Sequence, residues 1–111
     1  MGTFRHPITL YSESGEASET LDAIIDGEVL FAVIPRSVLE RLGVAVDETR
    51  GRPIGHARAQ LVGQEGTIMC VFGDDSEPAR IGRHTLDTLL LEADFDNEKL
   101  GPKTFHLIQH I

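Results

Sequence analysis

Asp26 is followed by Gly27, Glu28 and Val29, and in this stretch an ionisable group falls where an extended run gives way to a loop. Thr20 to Asp26 alternates as a strand, with Leu21, Ala23 and Ile25 on one face and Asp22, Ile24 and Asp26 on the other. Gly27 then interrupts the run. A carboxylate at such a point can do two things. It can accept hydrogen bonds from the amides that follow and so fix a turn. Paired closely with a second carboxylate, it can instead share one proton and activate a water molecule. The turn-fixing role can be read from these residues, the paired role needs a second carboxylate from elsewhere, and Glu28 reads as a solvated side chain beside either.

The remaining reactive side chains form weaker patterns. Five histidines are scattered at 6, 56, 84, 106 and 110. His106 and His110 have the i, i+4 spacing of a zinc helix, but Leu107 stands where His-Glu-x-x-His needs its glutamate, so no metal site is expected. Cys70, the single cysteine, lies in the apolar run Thr67 to Phe72 and reads as a buried small hydrophobe. The serines match no nucleophile elbow and the glycines no phosphate loop. No cofactor is expected. A formal charge of -8 opposes the basic footprint of a nucleic-acid binder. No window approaches a membrane-spanning length, which makes a cytoplasmic protein the expectation.

The elements that must hold Asp26 can be read in outline. With 111 residues and 41% apolar content, one domain over 1–111 with one modest core is expected. Thr3 to Tyr11 reads as a strand that Pro7 pushes toward an edge, and Ser12 to Glu19 as its connection to the strand ending at Asp26. A short apolar strand through Ile34 meets Pro35, which opens a helix over Arg36 to Leu42 closed by Gly43. Val44 to Val46 is expected as a short strand. His56 to Val62 and Thr67 to Phe72 pair as a hairpin turned at Gly63-Gln64-Glu65-Gly66. Ala79 to Gly82 leads into a helix over Arg83 to Leu90, and Leu91 to Asp96 and Phe105 to Ile111 are expected as the last strands. The edge strands Phe4 to Leu10 and Phe105 to Ile111 are the candidates for pairing between subunits.

The register Asp26, Val33-Ile34, Pro35 and Leu42-Gly43 resembles the active-site region of the small bacterial retropepsin-like aspartic proteases of clan AA. The family pattern is Asp-Thr-Gly-Ala, an apolar pair, and a proline opening a helix that ends in Leu-Gly. A second stretch, Val71-Phe72-Gly73 followed by Ile81-Gly82-Arg83, is similar to the family's second half. The resemblance, from about Leu21 to Leu100, implies an all-β, mostly antiparallel acid-protease barrel with one or two short helices. It implies a homodimer in which Asp26 of each chain would be the catalytic residue. It also implies a cleft for an extended peptide under a flap, for which Gly51-Arg52-Pro53-Ile54-Gly55 is the positional counterpart. The loop departs from the pattern. Gly27 removes a hydroxyl, and Glu28 places a long charged side chain where the family has no Cβ. The expectation is therefore an inactive or nearly inactive pseudoprotease serving as a peptide-binding or interaction module. The alternative is an acid-active homodimeric endopeptidase.

Overall fold

In a computed structural model, residues 2–49 and 51–103 are described. The chain order is β1 (Thr3–Tyr11), β2 (Ser18–Asp26), β3 (Ala32–Pro35), α1 (Arg36–Arg41), β4 (Ile54–Leu61), β5 (Gln64–Gly73), β6 (Arg80–Ile81), α2 (Arg83–Thr88), β7 (Leu91–Asp94) and β8 (Lys99–Pro102). Six strands close a barrel in the order β1-β2-β6-β3-β5-β4, and β7 and β8 form a separate two-stranded sheet. Most pairings are antiparallel; β2 with β6 and β3 with β5 are parallel.

Strand alternation fills the barrel. Ile8 and Leu10 of β1, Ala23 and Ile25 of β2, Ile34 of β3, Ile68 and Cys70 of β5 and Ile81 of β6 are buried together with Leu39 of α1 and Leu86 of α2. Cys70 is inert there, because burial pushes its thiol up to about 12. The opposite face of β2 carries Ile24 and Asp26, as the alternation predicts.

β1 is paired along its whole length with β2, but with β4 only over Thr9–Tyr11. Its unpaired half is blunted. Pro7 has no N–H to offer, and the His6 ring Nδ1 lies 2.9 Å from the Pro7 carbonyl. Among the described residues, 3–8 of β1 have no partner on the β4 side, so that edge is open apart from the interruption at Pro7; Phe105 to Ile111, the other candidate for pairing between subunits, lies outside the described residues.

Two expected elements differ. The β4–β5 turn is not the four-residue Gly63–Gly66 segment but Val62 and Gly63, both at positive φ (52° and 77°), a type I′ geometry. Gly66 instead pairs with Ala59 inside the hairpin, where an added Cβ would come within 3.1 Å of Leu89. That glycine serves packing rather than reversal. Val44 to Val46 forms no strand. It crosses β4 so closely that a Cβ on Gly55 would lie 2.5 Å from the Ala45 carbonyl oxygen. A β-branched residue in the left-handed region is strained, and Val62 is exposed. Val62→Asn should raise stability by about 1 kcal/mol, read as a higher urea midpoint with an unchanged slope.

α1 ends as expected, with Gly43 at φ 73° donating to the Glu40 carbonyl. It is tied to β2 by Arg41, whose Nε and Nη2 donate to the Glu19 carboxylate at 2.9 and 2.8 Å. That hydrogen bonding holds Glu19 below its ordinary 4.5. A depressed folded value means the contribution is complete above the unfolded pKa and is lost as pH falls through the folded one. Asp74, held down by the Ser76 amide, and Asp94, held down by the Asn97 side chain, act in the same direction. Thermal midpoints should therefore fall on acidification below about pH 4.5. The gap between the native chain and Glu19→Gln, present at neutral pH, should close over the same window.

Candidate active-site loop

Asp26 is the last residue of β2, on the face opposite Ile25, and its side chain is 16% exposed. Both carboxylate oxygens are engaged within the chain. The Glu28 amide donates to Oδ1 at 3.0 Å, and Arg80 Nη1 donates to Oδ2 at 3.2 Å. The Asp26 carbonyl also accepts from the Val29 amide. The turn-fixing role is thus realised in full, and a cation faces the other oxygen.

Residues 27–31 form the loop that follows. Gly27 and Val29 are half-buried, Glu28 is exposed, and Leu30 is 47% exposed. The loop is strapped onto the start of α2, where the Arg83 amide donates to the Val29 carbonyl at 2.9 Å and the His84 amide to the Leu30 carbonyl at 2.8 Å. A helix start leaves amides without partners. α2 has no capping side chain, because the loop carbonyls take these donors. Phe31 meets the His84 ring edge-on at 5.4 Å between centroids. Gly82 makes the approach feasible, since a Cβ there would stand 2.4 Å from the Val29 oxygen. The Ile81-Gly82-Arg83 stretch singled out in the sequence therefore lies directly against the loop that contains Gly27, Glu28 and Val29.

Arg80 is the residue that sequence reading missed. It falls in a stretch read only as a lead into a helix, although alternation between the small apolar Ala79 and Ile81 already placed it on the opposite face from them. In β6 it lies beside Ile24 of β2 and Val33 of β3. Val33 in turn neighbours Val71, and Val71 neighbours Ile54. One row thus runs across the strands on the face away from the barrel core, Ile24, Arg80, Val33, Val71 and Ile54, apolar except for the arginine that reaches Asp26; Val71 is buried, and the other four are half-buried. The row ends where Ile54 bridges Asp47 through two backbone hydrogen bonds, at the base of the loop considered as a flap. Gly55, placed in that flap by the sequence, belongs to β4.

The larger concavities lie elsewhere: about 620 Å³ beside β7 and β8, and about 580 Å³ between residues 43–47 and β4. Gly27, together with Arg83, Leu86 and Lys103, lines a smaller one of about 190 Å³. Among the described residues, no three metal-ligating side chains converge, and no helix is long and apolar enough to cross a membrane. His106 and His110 lie outside the described residues.

No family model matches the sequence, and no curated protein matches it either. Among solved structures, the chain is similar to the retroviral protease-like domain of Ddi1 from Leishmania major. The TM-score is 0.60 at 13% identity, over 95% of this chain and 91% of that one. The fold is retropepsin-like. An identity this low carries the architecture and no residue roles. Within the retropepsin-like frame, the strand end bearing Asp26, the loop after it and the glycine that opens α2 are what this chain's own geometry supplies.

Proposed function

We propose that this retropepsin-like domain binds an extended peptide or a partner segment without cutting it. The observation that carries the reading is the Asp26–Arg80 ion pair at 3.2 Å. Acid-protease chemistry asks a carboxylate to share a proton with its twin and to hold a water between them. An oxygen that faces a guanidinium from its own chain, with the other bonded to an amide, is poorly placed for that exchange. Gly27 and Glu28 point the same way, because neither supplies the hydroxyl that braces the family's loop. Half-buried Ile24 and Val33 beside Arg80 offer apolar side-chain contacts to a bound segment.

The proposal extends to a homodimer. Leu30, 47% exposed, and Phe31 next to it present apolar surface beside the loop, which supports a second copy covering it. Sedimentation at rising concentration checks this part, and a monomer throughout would remove it while leaving the binding reading intact. The test of the main reading is digestion of a peptide library from acidic to neutral pH, with Asp26→Asn as control. Cleavage products matching those of the Asp26→Asn chain are expected. Cleavage that disappears in Asp26→Asn would establish the acid-active endopeptidase instead.

A further inference from the structure

Asp26 uses only part of the guanidinium it faces. Arg80 donates to it through Nη1, whereas Nε and Nη2 have no acceptor among the described residues, and the side chain is 35% exposed. A guanidinium carries five N–H groups in a planar fork, and an edge with two parallel donors matches the spacing of a carboxylate. The usual obstacle is the freedom of a long side chain, which must be lost on binding. Here that freedom is already reduced, because Asp26 is itself fixed at a strand end and by the Glu28 amide. Half-buried Ile24 and Val33 flank Arg80 on the two neighbouring strands, so a ligand that reaches the fork meets apolar side chains on both sides.

We propose that Arg80 is the anchoring residue of this face, and that its ligand is an extended peptide whose carboxylate docks on the free edge of the guanidinium with apolar residues against Ile24 and Val33. The proposal rests on the non-cleaving reading and names its ligand class. Selectivity comes from directed hydrogen bonds at contact rather than from long-range attraction. Asp26 offsets the charge of Arg80 at a distance, and the chain as a whole carries -8. A small anion without apolar neighbours therefore gains little. The carboxylate can belong to an Asp or Glu side chain or to a peptide C-terminus, which share this chemistry.

The test is a titration of the ¹⁵N-labelled full chain, following the Arg80 Nε–H signal and the Ile24 and Val33 amides. The probes are the blocked pentapeptide Ser-Val-Glu-Val-Ser, its Gln and Lys counterparts, and Ser-Val-Val with a free C-terminal carboxylate. The Glu peptide should saturate with a Kd at or below about 1 mM, and the Gln peptide should bind at least about tenfold more weakly. The Arg80→Gln chain should lose that preference. Equal binding of Glu and Gln peptides to the native chain, stronger binding of the Lys peptide, or no saturable shift at Arg80 would overturn the proposal without recourse to any variant. A free-acid peptide that matches or exceeds the Glu peptide assigns the site to chain termini, and the reverse assigns it to acidic side chains. Mass spectrometry of the recovered peptides keeps the two ideas apart. Cleaved peptide would sink the non-cleaving reading, while the Glu-to-Gln ratio alone decides the role of Arg80.

Discussion

Replacing Gly82 by alanine should destabilise the fold by about 3 kcal/mol or more, the upper end of what overpacking costs. The new Cβ would stand 2.4 Å from the Val29 carbonyl oxygen, 2.6 Å from the Leu30 carbonyl carbon and 2.7 Å from the Leu30 oxygen. All three are backbone atoms, so no side-chain rotation relieves the clash. The backbone at Gly82 is ordinary, with φ at -101°, so the loss is steric and not conformational. Either the 27–31 loop lifts and gives up its hydrogen bonds to the first amides of α2, or β6 shifts within the barrel. Urea unfolding checks the magnitude. Gly101→Ala, where nothing lies within 4 Å of the added carbon, should stay within about 0.5 kcal/mol of the native chain. Equal midpoints for the two variants would mean that the loop does not pack against the start of α2.

Arg80→Ala should cost about 2 kcal/mol, between the small value of an exposed ion pair and the larger one of a buried pair. The carboxylate left behind is 16% exposed, too enclosed to be fully rehydrated. The informative measurement is the double-mutant cycle with Asp26→Ala. If the two side chains hold one another, the double variant should lose about 1 kcal/mol less than the sum of the single changes. Additive losses would show that the pair contributes nothing, and the main support for a non-cleaving site would go with it. The single variants should also differ from one another. Asp26→Ala removes the acceptor of the Glu28 amide as well as the partner of Arg80, whereas Arg80→Ala leaves the turn bonded.

Much of the frame was legible because it depends on local rules. Alternation in Thr20 to Asp26 put Asp26 on the face away from Ile25, and Pro35 and Gly43 bracketed α1 almost to the residue. What escaped depends on contacts between distant residues. The glycine at 66 looked like half of a turn, yet it is needed because Leu89 packs against it, so the reversal fell to Val62 and Gly63. Val44 to Val46 had the composition of a strand, but its place is taken up in crossing Gly55. β8 escaped because it ends in Gly101 and Pro102, a pair that ordinarily breaks a run, whereas the last position of an edge strand tolerates a proline. Arg80 was hidden for a related reason, since β6 has two residues and its pairing partners lie more than forty positions away. Its meeting with Asp26 is a product of the barrel's closure, which no local pattern announces.

The start of α1 has a bearing on how the chain acquires its shape. Pro35 offers no side chain to hold the first turn, and the Ser37 amide is taken by Asp75 at 2.9 Å, a residue from the loop after β5. Two turns of helix without a local brace have little persistence in water. On a ribosome, then, α1 emerges before Asp75, so the bond that closes its first turn comes from chain synthesised later, and until then the helix rests on the burial of Val38 and Leu39.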